Sequence, residues 1–101
     1  MGNRAVVQFT DGEEYSPVTY LHWDGDSVPE RIKELIELMA DRTDDVPYSA
    51  ARFIGICHKH IPGNLSLGTW NNIGKLTTDD SHGDAGCFVV NVKDWAIENF
   101  G

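Results

Sequence analysis

Two helical periodicities in direct succession, with strand-like segments on either side, constrain this chain most. Val28, Ile32, Leu35, Ile36 and Met39 recur at helical spacing and predict a helix from about Val28 to Asp41. Ser27 and Glu30 fit the capping pattern S-x-x-E at its start. Arg42-Thr43-Asp44-Asp45 is a polar break, and Asp45 is placed to cap a second helix with Pro47 in its first turn. The buried stripe of that helix is Val46, Ala50, Phe53, Ile54, Cys57 and Ile61, and Pro62-Gly63 ends it. Gly55 lies inside it, where glycine costs about 1 kcal/mol relative to alanine, so close approach of another backbone is expected there.

The flanking segments alternate or run apolar. Arg4–Thr10 and Tyr15–Trp23 read as two strands joined at Asp11-Gly12, with Pro17 marking an edge or bulge. After the helices come Asn64–Trp70, Cys87–Val92 and Trp95–Phe100. Cys87–Val92 is apolar on both faces, as in a central strand. Thr77–Gly86 holds three aspartates and two glycines and reads as an exposed, mobile loop. The order ββααβββ predicts one α+β domain over residues 1–101, an antiparallel sheet of about five strands with two helices on one face. Trp23, Trp70 and Trp95 are expected at the edge of the core, where indole N–H groups find partners.

Charge narrows the function classes. Sixteen acidic against eight basic side chains leave a net charge of −8, and such a chain is repelled by phosphate backbones, so no direct nucleic-acid contact is expected. The start lacks the apolar core of a signal peptide, and no run approaches a membrane span. Cys57 and Cys87 have no framework spacing and suit buried thiols in a reducing compartment, so the expectation is a cytoplasmic protein without membrane contact.

Three constellations are candidates for chemistry. Cys57, His58 and His60 are potential metal ligands, but His58 and His60 sit two residues apart on a helix and point to different sides, and Cys57 belongs to the buried stripe; neither metal nor cofactor is predicted. A Cys–His nucleophile using Cys57 or Cys87 needs an exposed thiol, which both positions oppose. Tyr20, His22, Trp23 and His60 are candidate pocket residues, with Tyr20 and His22 on one face of a strand and Trp23 on the other. The carboxylates are the larger signal. Asp11, Glu13 and Glu14 lie in the first hairpin, Asp24 and Asp26 in the strand-to-helix corner, Asp41, Asp44 and Asp45 between the helices, and Asp79, Asp80 and Asp84 in the long loop. Gathered at one end of the domain, such groups would form a surface for a basic partner, with Asp24 and Asp26 held most rigidly.

Gln8-Phe9-Thr10-Asp11-Gly12, Tyr20-Leu21-His22-Trp23-Asp24-Gly25, Ala50-Ala51-Arg52-Phe53 and His60-Ile61-Pro62-Gly63-Asn64-Leu65-Ser66-Leu67-Gly68 resemble a family of small phage and mobile-element proteins with a Tyr-x-His-Trp-Asp-Gly motif. The resemblance covers most of the chain and implies a setting, that of inhibitors of host defence such as anti-CRISPR proteins, without assigning residue roles. The leading expectation is therefore a non-enzymatic binding protein, an inhibitor contacting a basic host or defence protein through Asp11, Glu13, Glu14, Asp24, Asp26, Asp44 and Asp45. The alternative is a small enzyme or ligand-binding domain using His22, Asp24 and the Cys57–His60 region. A third reading is a structural module or homodimer.

Overall fold

The computed structural model describes residues 3–60 and 67–101. The described elements follow the expected order. Strands β1 (Ala5–Thr10) and β2 (Val18–Leu21) precede helices α1 (Val28–Met39) and α2 (Val46–His60); strands β3 (Leu67–Trp70), β4 (Gly86–Asn91) and β5 (Ile97–Phe100) follow. The fold is α+β. The end predicted for α2 at Ile61 and the start predicted for β3 at Asn64 fall outside the described residues.

The five strands lie in the order β3-β2-β1-β4-β5. Three neighbouring pairs are antiparallel, as expected, but β1 and β4 run parallel, so the sheet is mixed. The reason is the path between β3 and β4. Strand β3 ends beside the start of β2, at the hairpin end of the sheet. Residues 71–85 then return to the opposite end before β4 begins beside Ala5. A chain that re-enters at the end where β1 started must run alongside it in the same direction.

The first part of that return path is pinned to the sheet, whereas the stretch expected to be exposed is exposed or half-buried from Thr77 to Ala85. Leu76 is buried in a second small core with Val6, Val18, Cys87 and Val89. Gln8, fully buried on β1, pins the path: its Nε2 donates to Gly74 O at 2.9 Å and its Oε1 accepts Leu76 N–H at 3.0 Å. Both faces of the sheet centre are therefore covered, one by helices and the other by this segment. Every residue of β1 is buried as a result.

The main core lies under the helices. Val28, Ile32, Leu35 and Met39 of α1 and Val46, Ala50, Phe53, Ile56 and Cys57 of α2 meet Ala5, Val7, Phe9, Leu21, Phe88 and Val90 of the sheet. Phe53 packs edge-on to Phe9, with ring centroids 5.4 Å apart. Ile36 and Ile54 of the predicted stripes are only half-buried, and Ile56 takes the deeper position. The tryptophans divide: Trp95 packs against this core, whereas Trp23 and Trp70 are 41% and 40% exposed.

Local sequence explains most junctions. Pro17 sits at a bulge, because the β1–β2 register moves from Val7↔Thr19 to a Thr10↔Tyr15 bridge, one extra residue on the returning strand. There Ser16 Oγ accepts Phe9 N–H at 2.9 Å in place of a ladder partner. Asp45 caps α2 by accepting Tyr48 N–H at 3.1 Å. The capping box expected at Ser27 does not form, because Gly25–Ser27 already make a 3-10 turn that leads straight into α1 and Ser27 makes no cap hydrogen bond. Gly55 also departs from expectation: a Cβ there would meet nothing within 4 Å among the described residues, so no described backbone approaches it.

Candidate functional site

Strands of six residues separate the two ends of the sheet by roughly 20 Å. The connections sort to one end or the other, and so do their carboxylates.

The corner end gathers the strand-to-helix corner, the residues before β1 and the entry to β4. Asn3 is its hub. Asn3 N–H donates to His22 O at 2.9 Å and Asn3 O accepts Gly25 N–H at 2.8 Å. Its side chain donates to Asp26 Oδ2 at 2.7 Å and accepts Asp26 N–H at 3.1 Å. Asp24, in the left-handed region at φ 69°, holds Arg31 through contacts of 3.0 and 3.1 Å. Gly25 is required here, because a Cβ would lie 2.6 Å from Asn3 O. Asp84 accepts both the backbone N–H of Arg4 at 3.0 Å and its Nε at 2.9 Å, and these bonds hold the Asp84 carboxyl below the usual aspartate range. Asp24 and Asp26 are both tethered in this corner, and their charges are engaged within the chain.

Beside this corner lies an aromatic cluster. Tyr20 Oη and His22 Nδ1 share a hydrogen bond of 2.9 Å. His82, from the segment crossing the sheet, packs tilted against Tyr20 with ring centroids 4.9 Å apart, and Trp70 lies 6.0 Å from the same ring. Trp23 meets His22 edge-on at 4.8 Å. Tyr20, His22 and Trp23 of the predicted pocket thus come together. His60 does not join them: it lies at the end of α2, where Nε2 is 2.5 Å from Glu34 Oε2, because the helix carries it onto α1. Trp70 and His82 are absent from the predicted pocket, since only the pairing of β3 with β2 and the return of the chain bring them there.

The thiols are unsuited to nucleophilic work. Both are buried, and burial pushes Cys57 up to about 12, leaving it a thiol at neutral pH. Burial also raises Cys87, whose Sγ–H donates to Thr77 O at 3.5 Å. Among the described residues no three His, Cys, Asp or Glu side chains converge as a metal site would require.

The hairpin end is different in kind. Thr10 O accepts Val92 N–H at 2.8 Å, and Val92 O accepts Asp44 N–H at 3.1 Å. These bonds set the β1–β2 hairpin, the helix–helix link and the β4–β5 turn side by side. They bring together Asp11, Glu13, Glu14, Asp41, Asp44, Asp45 and Asp94, seven carboxylates, with Arg42 and Arg52 beside Asp45, Lys93 in the β4–β5 turn and Lys75 beside Gly12 and Tyr15. Asp11 is used locally, accepting Glu13 and Glu14 N–H at 2.9 Å each, and the Glu14 and Glu13 bonds lower its pKa. Asp45 is likewise lowered, by Tyr48 N–H and then by Arg42 at 2.9 Å. Glu13, Glu14, Asp41, Asp44 and Asp94 are exposed and form no ion pair among the described residues. Asp41 and Asp94 extend the predicted contact set. Asp94 stands alone in its turn, so only the placement of that turn reveals it.

Among the described residues no helix is long and apolar enough to cross a membrane. Comparison with known protein families, curated proteins and solved structures finds no match.

Proposed function

We propose that this protein is a non-catalytic binding module whose acidic hairpin end engages a basic surface on another protein, the nucleic-acid-binding face of a host or defence complex being the partner of choice. One observation carries the reading: three separate connections bring seven carboxylates to one end of the sheet, more than the cations Arg42, Arg52, Lys75 and Lys93 near them. Like charges crowded this way repel and reduce stability. Asp41 also follows the C-terminus of α1, where the helix dipole disfavours an anion. Asp11, Asp45 and Asp94 accept backbone N–H groups of their own turns. The Glu13, Glu14, Asp41 and Asp44 side chains make no such bond among the described residues, and recognition of a basic partner gives these four a reason. The resemblance to small phage and mobile-element proteins supports the inhibitor setting. Burial of both thiols weighs against the Cys–His alternative.

Pull-down from a host lysate with quantitative mass spectrometry tests the proposal. Wild type should enrich at least one nucleic-acid-binding protein, and Glu13→Lys with Glu14→Lys and Asp44→Lys should lose it by about tenfold or more. Control bait Asp79→Lys with Asp80→Lys, away from the hairpin end, should retain it. Equal capture by wild type and the triple variant would overturn the proposal.

A further inference from the structure

Gly55 occupies the middle of α2, and among the described residues no atom lies within 4 Å of the missing Cβ. A helix-interior glycine is unfavourable, and no packing among the described residues explains it. It opens a groove of about 620 Å³ along the outer face of the helix layer, between α1 and α2. Leu38, 53% exposed, and Ile56 make the apolar part. The charges along it are segregated by helix. Those from α1 are Glu34 and Glu37, without a cation; those from α2 are Arg52 and Lys59, without a carboxylate. Contacts across the groove mark which residues lie level. Lys59 and His60 pair with Glu34, and Arg52 reaches Leu38 O at 3.4 Å.

This pattern selects its own occupant. Two copies can meet face to face through the helix layer about a two-fold axis parallel to the helices. Each α1 then lies on the α2 of the other copy, so every acidic wall faces a basic wall at the same level. An axis across the helices would instead set α1 on α1, acid against acid. We infer that the outer face of α1 and α2 is a homodimer interface, in which Leu38 of one copy enters the groove floored by Gly55 of the other and Glu37 approaches Arg52. The contact is isologous, so every pair occurs twice. It also sets both acidic hairpin ends at the same end of the dimer.

Sedimentation equilibrium on the full chain, over rising concentration, tests this. Wild type should show a monomer–dimer equilibrium. Gly55→Arg has room for its side chain in the monomer, so its melting temperature should not fall, yet it should fill the groove and abolish the dimer. Glu37→Lys and Arg52→Glu should each weaken dimerisation by about tenfold, since each lost pair counts twice. Mixed in equal amounts, the two variants should form a heterodimer. The lysine introduced in one then meets the glutamate introduced in the other, while the native Glu37 and Arg52 that remain, one in each variant, meet as before. Thermal melts of each variant establish that the starting monomers are folded. A wild type that stays monomeric to about 1 mM overturns the inference. So does a Gly55→Arg protein that dimerises normally, or a mixture of folded charge variants that shows no rescue.

Discussion

The two ends of the sheet use the same side chain for opposite purposes. At the corner end Asp24, Asp26 and Asp84 each hold a named partner: Arg31, the Asn3 side chain and Arg4. At the hairpin end Glu13, Glu14, Asp41, Asp44 and Asp94 hold no cation among the described residues. The difference shows that carboxylate density in a sequence does not measure available charge. A carboxylate beside a hub such as Asn3 is part of the fold. One in a turn facing solvent adds to the field that a partner meets.

The largest expected effect lies at the corner. Gly25→Ala forces a Cβ against Asn3 O and should cost about 1–3 kcal/mol, read by chemical denaturation. An unchanged midpoint would mean that the corner yields freely and that Asn3 is no hub. Next in size comes a paired test of charge reversal. Asp24→Lys with Asp26→Lys removes two tethers and sets an ammonium group against Arg31, with an expected loss of about 1–2 kcal/mol. Glu13→Lys with Glu14→Lys should stay within about 0.5 kcal/mol of wild type. Equal losses from the two reversals would erase the distinction between the ends.

The smallest effect is one of pH. Bonds from Arg4 lower the pKa of Asp84 in the folded protein below its ordinary value of 3.8. The unfolded chain therefore takes up that proton first as pH falls. The contribution of Asp84 is fully present above the unfolded value and is lost as pH drops through the native one. Asp84→Asn should melt below wild type at pH 7, and the two melting curves should converge as pH falls through the native value. A gap that persists at low pH would assign the loss to packing instead of charge.

Much of the fold was legible because it rests on short-range rules. The two stripes placed α1 and α2 to within two residues where the structure describes their ends, and Asp45 announced the start of α2. Pro17 marked a bulge because a missing N–H is a local fact. Ser27 misled for a related reason: its capping pattern was right, but the 3-10 turn contributed by Gly25 pre-empted it. The aromatic cluster was half legible. Strand alternation put Tyr20 and His22 together, while His82 came from a distant segment of the chain and His60 left for Glu34.

By itself the sequence determined the α+β class, the order of the elements, the main core and the acidity of the connections. Each follows from periodicity, turn chemistry or composition, which act over a few residues. Tertiary structure alone decided that β4 runs parallel to β1, because that depends on where residues 71–85 travel. It alone gave Gln8 its role on the return path, since two of the groups that Gln8 binds lie 66 and 68 positions further along. It also decided which carboxylates are engaged and which face outward. Pairing of a charge depends on what the folded chain sets within about 4 Å of it, and that separation is not encoded by neighbours in sequence.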